Sequence, residues 1–459
     1  MNRIAIIHSS DVSPTIRRAI DFLSEFILDL TLDFPLCFST DDVMPDDVEI
    51  KIYVGTNMGA GTASFDSPEQ YYISVKDNNV IIDGSDDVGV LYGVMDFYNK
   101  YLIPRKYANT DVIAYDVFST TLTDFSLMGS PSVRERGIWT WGHVIYDYKR
   151  FLDNMARLKL NSIVMWNDFL PFNIKEIIDY AHILGIKIIL GYSWGWDQGC
   201  KDISLSTLSG MEKKIFEKHK REYSGLDIDG IYFQTVTELS DEYIEGVLVA
   251  DAVTSFVNRT SDLFYNEYPD LLIEFGLHAT SVKNRLSFIK NVDKRVRIVW
   301  EDLGSMPFSY SAHAVDNYET TLELVKETAT LRGEDDNYGV VPKSLTFLDW
   351  STFVHPKGAQ NIGVSTEYVR ENRIIRKRRA WRKSVAGWLK NGELAQRAIA
   401  ELCKIKGGSF SVNALLEDGM FEEQIMYPIA LLSEILWNPF GDYGALVSDV
   451  TLRDYVSFT

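Results

Sequence analysis

The chain has 459 residues, enough for a (β/α)₈ barrel of about 250 residues and a second domain. Its formal net charge of −19 argues against a nucleic-acid-binding protein, because no broad phosphate-neutralising surface is available. Cys37, Cys200 and Cys403 lie far apart and predict no disulfide framework. The first eight residues are apolar too briefly for a signal peptide, and no run approaches the ~18 apolar residues of a membrane span. We therefore expect a soluble, cytoplasmic protein without a membrane partner.

Residues 1–125 have the pattern of a small α+β domain. Amphipathic periodicity predicts a helix over 14–30, and residues 89–101 are also interpreted as a helix. Short apolar runs predict strands over 3–7, 50–55, 71–76 and 79–84. The stretch 110–128 has no clear periodicity and is interpreted as a connection. Because this part of the chain carries no catalytic constellation, we expect a non-catalytic N-terminal domain.

Residues 126–459 alternate strands and helices. The predicted strands are 136–142, 161–168, 187–196, 230–238, 271–278, 295–302, 344–350 and 409–417. Asn173 and Glu176 have the spacing of a capping box at the start of a helix. Eight βα units predict a parallel (β/α)₈ TIM barrel, in which residues at the strand ends face the active site. No G-x-G-x-x-G motif follows any strand, so no dinucleotide cofactor is expected.

Tryptophans are concentrated at the predicted carboxyl ends of these strands. They are Trp139, Trp141, Trp166, Trp194, Trp196, Trp300 and Trp350. For any single tryptophan, packing in the core of the barrel explains the position as well as contact with a ligand does. Seven at one end favour a pocket lined with flat aromatic surfaces, which suit the C–H-rich face of a sugar ring.

Carboxylates occur at the same strand ends. They are Asp168, Asp197, Glu238, Glu301, Asp302, Asp349 and Glu417. Cleavage of a glycosidic bond needs one carboxylic acid to protonate the leaving oxygen and a second group to activate water or attack carbon. We predict Glu238 as the acid and one of Glu301, Asp302 and Asp349 as its partner.

Other polar residues near these ends are predicted to bind sugar hydroxyls. They are Asn167, Asp168, Gln234 and His278. His143, His278 and His355 leave a metal-dependent hydrolase as an alternative, but no tight ligand spacing is present, and no metal is expected. The basic run from Arg370 to Lys383 is interpreted as a solvated helix face that pairs with the acidic excess.

The chain resembles two-domain glycoside hydrolases of the β-N-acetylhexosaminidase (family 20) and α-glucuronidase (family 67) type. The segments that carry the resemblance are Ile52–Gly55, Tyr72–Val75, Ile81–Gly84, Gly89–Val94, Arg136–Gly137, Asn154–Ile163 and Tyr427–Trp437. The resemblance implies an exo-acting glycosidase with a carbohydrate substrate, hexosaminide-like or glucuronide-like, and no cofactor.

The chain departs from family 20 at its acid. That family has an adjacent Asp-Glu pair after strand four, in which the Asp orients the substrate acetamide; here the pair is Thr237-Glu238. Only the acid carries over. Family 67 uses carboxylates after strands four, six and seven, which matches Glu238, Glu301 or Asp302, and Asp349. The departure leaves a catalytically silent carbohydrate-binding protein as the alternative.

Overall fold

The computed structural model describes residues 3–58, 64–108, 117–118, 121–195, 204–235, 242–310, 318–346, 356–416 and 421–458. Within these ranges the chain forms a six-stranded mixed sheet followed by a closed eight-stranded barrel. No helix in these ranges combines the length and the apolar character that crossing a membrane requires.

The N-terminal sheet has the strand order β2-β1-β3-β5-β4-β6. Its strands are β1 (Ile4–His8), β2 (Leu36–Ser39), β3 (Ile50–Gly55), β4 (Tyr71–Lys76), β5 (Asn79–Gly84) and β6 (Phe125–Gly129). Four of these strands match the prediction. The two missed ones are the edge strands: β2 is short, and β6 lies in the stretch interpreted as a connection. Edge strands bury little, which weakens the alternating pattern that reveals a strand.

The eight strands of the barrel are all parallel. They are β7 (Glu135–Trp141), β8 (Ser162–Trp166), β9 (Lys187–Gly191), β10 (Gly230–Phe233), β13 (Leu272–His278), β14 (Arg297–Glu301), β15 (Tyr338–Val341) and β16 (Ser411–Leu415). A hairpin of β11 (Tyr243–Ile244) and β12 (Val247–Leu248) lies between β10 and β13 in the sequence. Near the end of the chain, β17 (Ile425–Met426) pairs with β18 (Val456–Ser457). The predicted TIM barrel is confirmed.

Helices cover the sheet and surround the barrel. They are α1 (Pro14–Thr31), α2 (Asp87–Phe97), α3 (Ile103–Ala108), α4 (Tyr148–Arg157), α5 (Ile174–Ile183), α6 (Leu205–Glu222), α7 (Val249–Glu267), α8 (Ala279–Val282), α9 (Leu286–Ile289), α10 (Tyr318–Thr330), α11 (Glu367–Lys406), α12 (Tyr427–Trp437) and α13 (Tyr443–Leu452). A π-helical turn, Tyr98–Leu102, follows α2. Residues 89–97 of α2 are buried on every side, as expected for an apolar helix between the sheet and the barrel.

The seventh barrel strand was predicted wrongly. It is β15, Tyr338–Val341, whereas the predicted strand began at Ser344, and residues 344–345 form a turn. The proline at position 342 ends the strand, because it has no N–H for the ladder. A four-residue strand buried on both faces shows no alternation, so the longer apolar run that follows was the stronger signal.

Buried charges join the sheet to the barrel. Lys159 lies 2.8 Å from Asp96 of α2 and 3.3 Å from Glu434 of α12, and all three side chains are at most 1% exposed. The ammonium also lies 4.3 Å from the ring centroid of Trp437. Glu434 pairs in addition with Arg453 at 2.7 Å. These contacts hold the mixed sheet against the amino-terminal side of the barrel, away from the carboxyl ends of the strands.

Candidate active site

An aromatic cluster occupies the barrel interior at the carboxyl ends of the strands. Trp139 and Trp141 lie at alternate positions of β7 and therefore point to the same side of the strand. Trp139 packs edge-on against Trp141, with centroids 4.7 Å apart, and against Tyr232 of β10 at 5.8 Å. Trp166, at the end of β8, lies 6.3 Å from both Trp139 and Tyr232. We call these four residues the aromatic cluster.

Glu301 ends β14 beside this cluster and is 4% exposed. Its Oε1 accepts hydrogen bonds from the Tyr232 hydroxyl and, at 2.6 Å, from Gln234 Nε2. Its Oε2 lies 3.1 Å from the Nζ of Lys343 and 3.4 Å from Nε2 of His278. Both carboxylate oxygens are therefore occupied by donors that come from the ends of β10 and β13 and from the loop after β15.

These donors fix the charge of Glu301. Burial acts to raise the pKa of the carboxyl group, because a charged group loses water, but Lys343, His278, Tyr232 and Gln234 outweigh it and lower the pKa to about 2. Glu301 is thus ionised throughout the neutral pH range. An ionised carboxylate can accept a proton, attack an electrophilic carbon or stabilise positive charge, but it has no proton to donate.

Gly276 of β13 leaves the space in which Tyr232 and Glu301 meet. A Cβ atom at this position would lie 1.9 Å from the Tyr232 hydroxyl and 2.7 Å from Glu301 Oε1. Either distance is far below van der Waals contact. Only glycine therefore allows the tyrosine hydroxyl of β10 to reach across β13 to the carboxylate of β14.

Asp302 follows Glu301 with a φ of 46°, in the left-handed region, and is partly exposed. Aspartate adopts this region more readily than most residues, but the conformation is still uncommon. The left-handed conformation of Asp302 ends β14 immediately after Glu301. Unusual backbone conformations of this kind are concentrated at functional sites.

A narrow cleft adjoins the aromatic cluster. Its lining residues are Trp141, His143, Trp166, Asn167, Asp168, Phe169, Pro171, Pro356, Gly358, Gln360 and Ile362. The Trp166 indole donates to Asp168 Oδ1 at 3.4 Å, and Asn167 Nδ2 donates to the Met165 carbonyl at 3.2 Å. Two indoles beside an amide and a carboxylate suit a ligand that combines apolar faces with hydroxyl groups.

Asn173 fastens the far wall of this cleft. The predicted capping box is wrong, because the Asn173 side chain makes no bond to the start of α5. Instead its Nδ2 donates to the Ile362 carbonyl at 2.8 Å and its Oδ1 accepts from the Ile362 N–H at 2.9 Å. A cap motif and a bond to a distant loop use the same amide group, and the sequence pattern does not distinguish them.

Trp194 and Trp300 lie in the core. Trp194 is fully buried and stacks on Phe233, with centroids 3.6 Å apart, and on Phe264 of α7 at 5.5 Å. Trp300 is 1% exposed, and it alternates with Val299 and Glu301, which face the barrel interior. Both indoles therefore pack between the barrel and its helices, and we assign neither a contact with a ligand.

Several predicted site residues lie outside the described ranges. They are Glu238, Asp349, Trp196 and Trp350, together with Asp197, His355 and Glu417. Within the described ranges, the structure brings Glu301, Gln234 and His278 together, and it places Asn167, Asp168, Trp141 and Trp166 around the cleft.

Sequence reasoning missed Tyr232 and Lys343. Tyr232 was identifiable, because it stands two residues before Gln234 and so points to the same side of β10. Lys343 was hidden by the misplaced seventh strand: it follows the true end of β15 by two residues. In the part of the chain that the structure describes, no three His, Cys, Asp or Glu side chains are grouped to hold a metal ion.

No known protein family matches the sequence, and no curated protein matches it. Among solved structures, the chain is similar to a GH20 β-N-acetylhexosaminidase from Streptomyces coelicolor A3(2), with a TM-score of 0.55 and 10% identity over 100% of this chain and 94% of that one. It is also similar to a GH138 enzyme targeting pectin rhamnogalacturonan II, with a TM-score of 0.53 and 11% identity over 96% of this chain. The chain spans about half (51%) of that enzyme's length. The resemblance to hexosaminidase-type glycoside hydrolases is thus confirmed at the level of the fold.

Proposed function

We propose that this protein is an exo-acting glycoside hydrolase that uses carboxylates at the mouth of the barrel. The observation that carries the proposal is the buried, ionised Glu301 beside the aromatic cluster. Burying a carboxylate in a barrel mouth is costly, and four donors offset the cost here. The fold shared with a β-N-acetylhexosaminidase and with a pectin-targeting enzyme supports the same reading of the site.

The two catalytic roles are divided by charge. Glu238, predicted after β10, would supply the proton to the leaving glycosidic oxygen as the sugar–oxygen bond breaks. Glu301 is held ionised and would be the base or the nucleophile. As a base it would take a proton from the water that attacks the anomeric carbon; as a nucleophile it would form a glycosyl ester that water then hydrolyses. Asp302 and Asp349 remain alternatives for this second role.

The sugar ring would rest on the aromatic cluster. Trp141 and Trp166 line the cleft with Asn167 and Asp168, which supply hydrogen-bonding groups, and Trp139 packs against both indoles. Gln234 and His278 already contact Glu301 and would bind hydroxyls near the reacting carbon. A carbohydrate carrying a hexosamine or a uronic acid at its end is the substrate class that we propose.

The experiment is a panel of aryl-linked and natural hexosaminides, glucosides and uronides, assayed for released sugar with the wild-type protein and with Glu238→Gln. We expect release from at least one class and a loss of ~10²-fold or more in the variant. Release that survives Glu238→Gln would move the acid to another carboxylate.

A second candidate is a carbohydrate-binding protein without turnover. The observation in its favour is Thr237, which stands where family 20 enzymes have the acetamide-orienting Asp. Calorimetry would detect saturable sugar binding while the same panel shows no release. Turnover of any glycoside that is lost in Glu238→Gln would exclude this candidate.

A further inference from the structure

The helix α11 is much longer than the barrel requires. Its 40 residues extend over roughly 60 Å at 1.5 Å per residue. At its carboxyl end, Lys406 Nζ donates to the Glu334 carbonyl at 2.7 Å, ahead of β15. Ser384 Oγ and Trp388 Nε1 donate to the Ser344 carbonyl, at 3.0 and 3.1 Å, beyond the end of β15. Residues 384–406 of α11 therefore extend along the whole length of β15, from its carboxyl end to its amino end.

The preceding turns of α11 consequently lie at the mouth end of the barrel. Arg370 anchors them, because it contacts Asp147, which follows β7, at 3.3 Å and Glu423, which follows β16, at 3.2 Å. Since both acids follow the carboxyl ends of barrel strands, the first turns of α11 lie across the loops that border the candidate active site.

One outward row of α11 carries exposed apolar residues, two of them in this segment and one, Leu389, in the part that spans the barrel. Tyr368, Ile375 and Leu389 are 74%, 72% and 57% exposed. Their spacings of seven and fourteen residues place them on one face of the helix. Arg382 occupies the vacant heptad position of this row, and Arg378 and Arg379 flank it.

The same face carries unpaired positive charge. Residues 370–383 contain eight Lys or Arg residues and a single acid, Glu371. Arg378, Arg379 and Arg382 are exposed, and among the described residues none has a carboxylate within ion-pair distance. The whole chain has 65 acidic and 46 basic residues, so carboxylates are not scarce. Within the described ranges these three arginines are solvated without an acidic partner, whereas Arg370 of the same run pairs with Asp147 and Glu423.

We propose that this surface, the basic face of α11 (Tyr368, Ile375, Arg378, Arg379 and Arg382), binds a polyuronate, a polysaccharide whose sugar rings carry carboxylates. A guanidinium pairs with a carboxylate through two parallel hydrogen bonds, which a lysine ammonium cannot do. Tyr368 and Ile375 offer flat apolar surface to the C–H faces of the rings between the charges. Carboxylates alternating with apolar ring faces match arginines interspersed with apolar side chains.

Other polyanions fit the surface less well. A nucleic acid offers phosphates and stacked bases rather than carboxylates on apolar rings, while the net charge of −19 opposes nucleic acid and polyuronate alike. An anionic membrane favours a broad apolar side, whereas the exposed large apolar residues of α11 are only four over 22 positions, Tyr368, Val369, Ile375 and Leu389. The inference goes beyond the proposed function, since the basic face lies outside the cleft, and the binding it predicts requires no turnover.

The test is a titration of the full chain with polygalacturonate, with dextran as the neutral control. The variant combines Arg378→Ala, Arg379→Ala and Arg382→Ala. Its matched control combines Lys213→Ala, Lys214→Ala and Arg221→Ala on α6, which removes the same charge from the opposite side of the barrel. We expect the variant to bind at least ~10-fold more weakly and the control to bind like wild type.

A second variant, Tyr368→Ala, keeps every charge and tests the apolar contact; we expect a measurable loss of affinity for polygalacturonate. Equal affinities of the arginine variant and the wild type would overturn the proposal. So would tighter binding of polyadenylate or of anionic vesicles than of polygalacturonate, or a dimer that the arginine variant abolishes. If binding behaves as expected while the glycoside panel shows no release, the basic face stands and the proposed hydrolase function fails.

Discussion

The environment of Glu301 gives the strongest indication of a catalytic role among the described residues. It is buried, yet its pKa is lowered rather than raised, because Lys343 and three further donors surround its two oxygens. A carboxylate kept ionised beside aromatic rings at the mouth of a barrel is suited to a reaction in which positive charge develops at a sugar carbon.

Replacement of Lys343 by Met removes the cation that most opposes burial of the Glu301 charge. The pKa of Glu301 should then rise, since the charged form loses its main partner, and the acid limb of the pH–kcat/KM profile should move to higher pH. Lys343→Arg keeps the charge and serves as the control. An acid limb that is the same in Lys343→Met and wild type would contradict this role of Lys343.

Replacement of Gly276 by Ala tests the close approach of Tyr232 and Glu301. The new methyl group overlaps the Tyr232 hydroxyl, so we expect a stability loss of about 1–3 kcal/mol, measured by urea unfolding, and weakened catalysis. The matched control is Gly210→Ala in α6, where a Cβ would meet nothing within 4 Å. It should be neutral or stabilising by up to about 1 kcal/mol. Equal effects of the two substitutions would refute the steric argument.

At the scale of elements, the barrel positions one ionic layer at each end of its interior. At the amino-terminal end, Arg297 of β14 donates to both oxygens of Glu135 of β7, at 2.8 and 2.7 Å, and to Glu274 of β13 at 2.8 Å. Burial raises the pKa of Glu274 to about 7 despite Arg297, whereas the pKa of Glu135 is lowered. One arginine thus contacts one carboxyl group with a lowered pKa and one whose pKa is raised to about 7.

The raised pKa of Glu274 predicts a pH dependence of stability. The unfolded chain releases this proton near pH 4.5 and the folded chain near pH 7, so stability is lost as the pH rises through this window. Glu274→Gln imitates the protonated form. We expect the variant to gain on wild type by roughly 2–3 kcal/mol between pH 4.5 and 7.5 in denaturant unfolding. A stability difference that does not change with pH would contradict the protonated state of Glu274.

The sequence predicted helices and strands best where a regular apolar pattern continued over many residues. α1, β3, β4 and β5 were found at or near their true ends, and seven barrel strands were located. β15 was missed because four residues that are all buried show no alternation of apolar and polar positions.

Of the site, Glu301, Gln234 and His278 were found as strand-end residues. Their grouping was not predictable, because the register between neighbouring strands is set by closure of the barrel. Trp194 and Trp300 show the converse: a position at a strand end does not say to which side a ring points.

At the scale of the whole molecule, the mixed sheet and the barrel depend on each other through the buried charges around Lys159. Lys159→Met removes the cation nearest to Asp96 and leaves the two acids with Lys100, at 3.7 Å from Asp96 and 3.5 Å from Glu434, and with Arg453 beside Glu434. We expect a loss of about 3–5 kcal/mol in the free energy of unfolding. Lys106→Met is the control: it removes a pair with Asp454 at a partly exposed position and should cost less than about 1 kcal/mol. Similar losses in both variants would show that the buried network does not link the two parts.

The central claim is that the barrel mouth hydrolyses a glycoside with Glu301 as its ionised carboxylate. The most direct measurement is the rate of sugar release by Glu301→Gln beside wild type, on the glycoside that wild type cleaves fastest in the panel. The account predicts a fall of ~10²-fold or more with the fold intact, because the amide can neither accept the proton nor attack carbon. Release at the wild-type rate, or no release of any glycoside by the wild type, would contradict it.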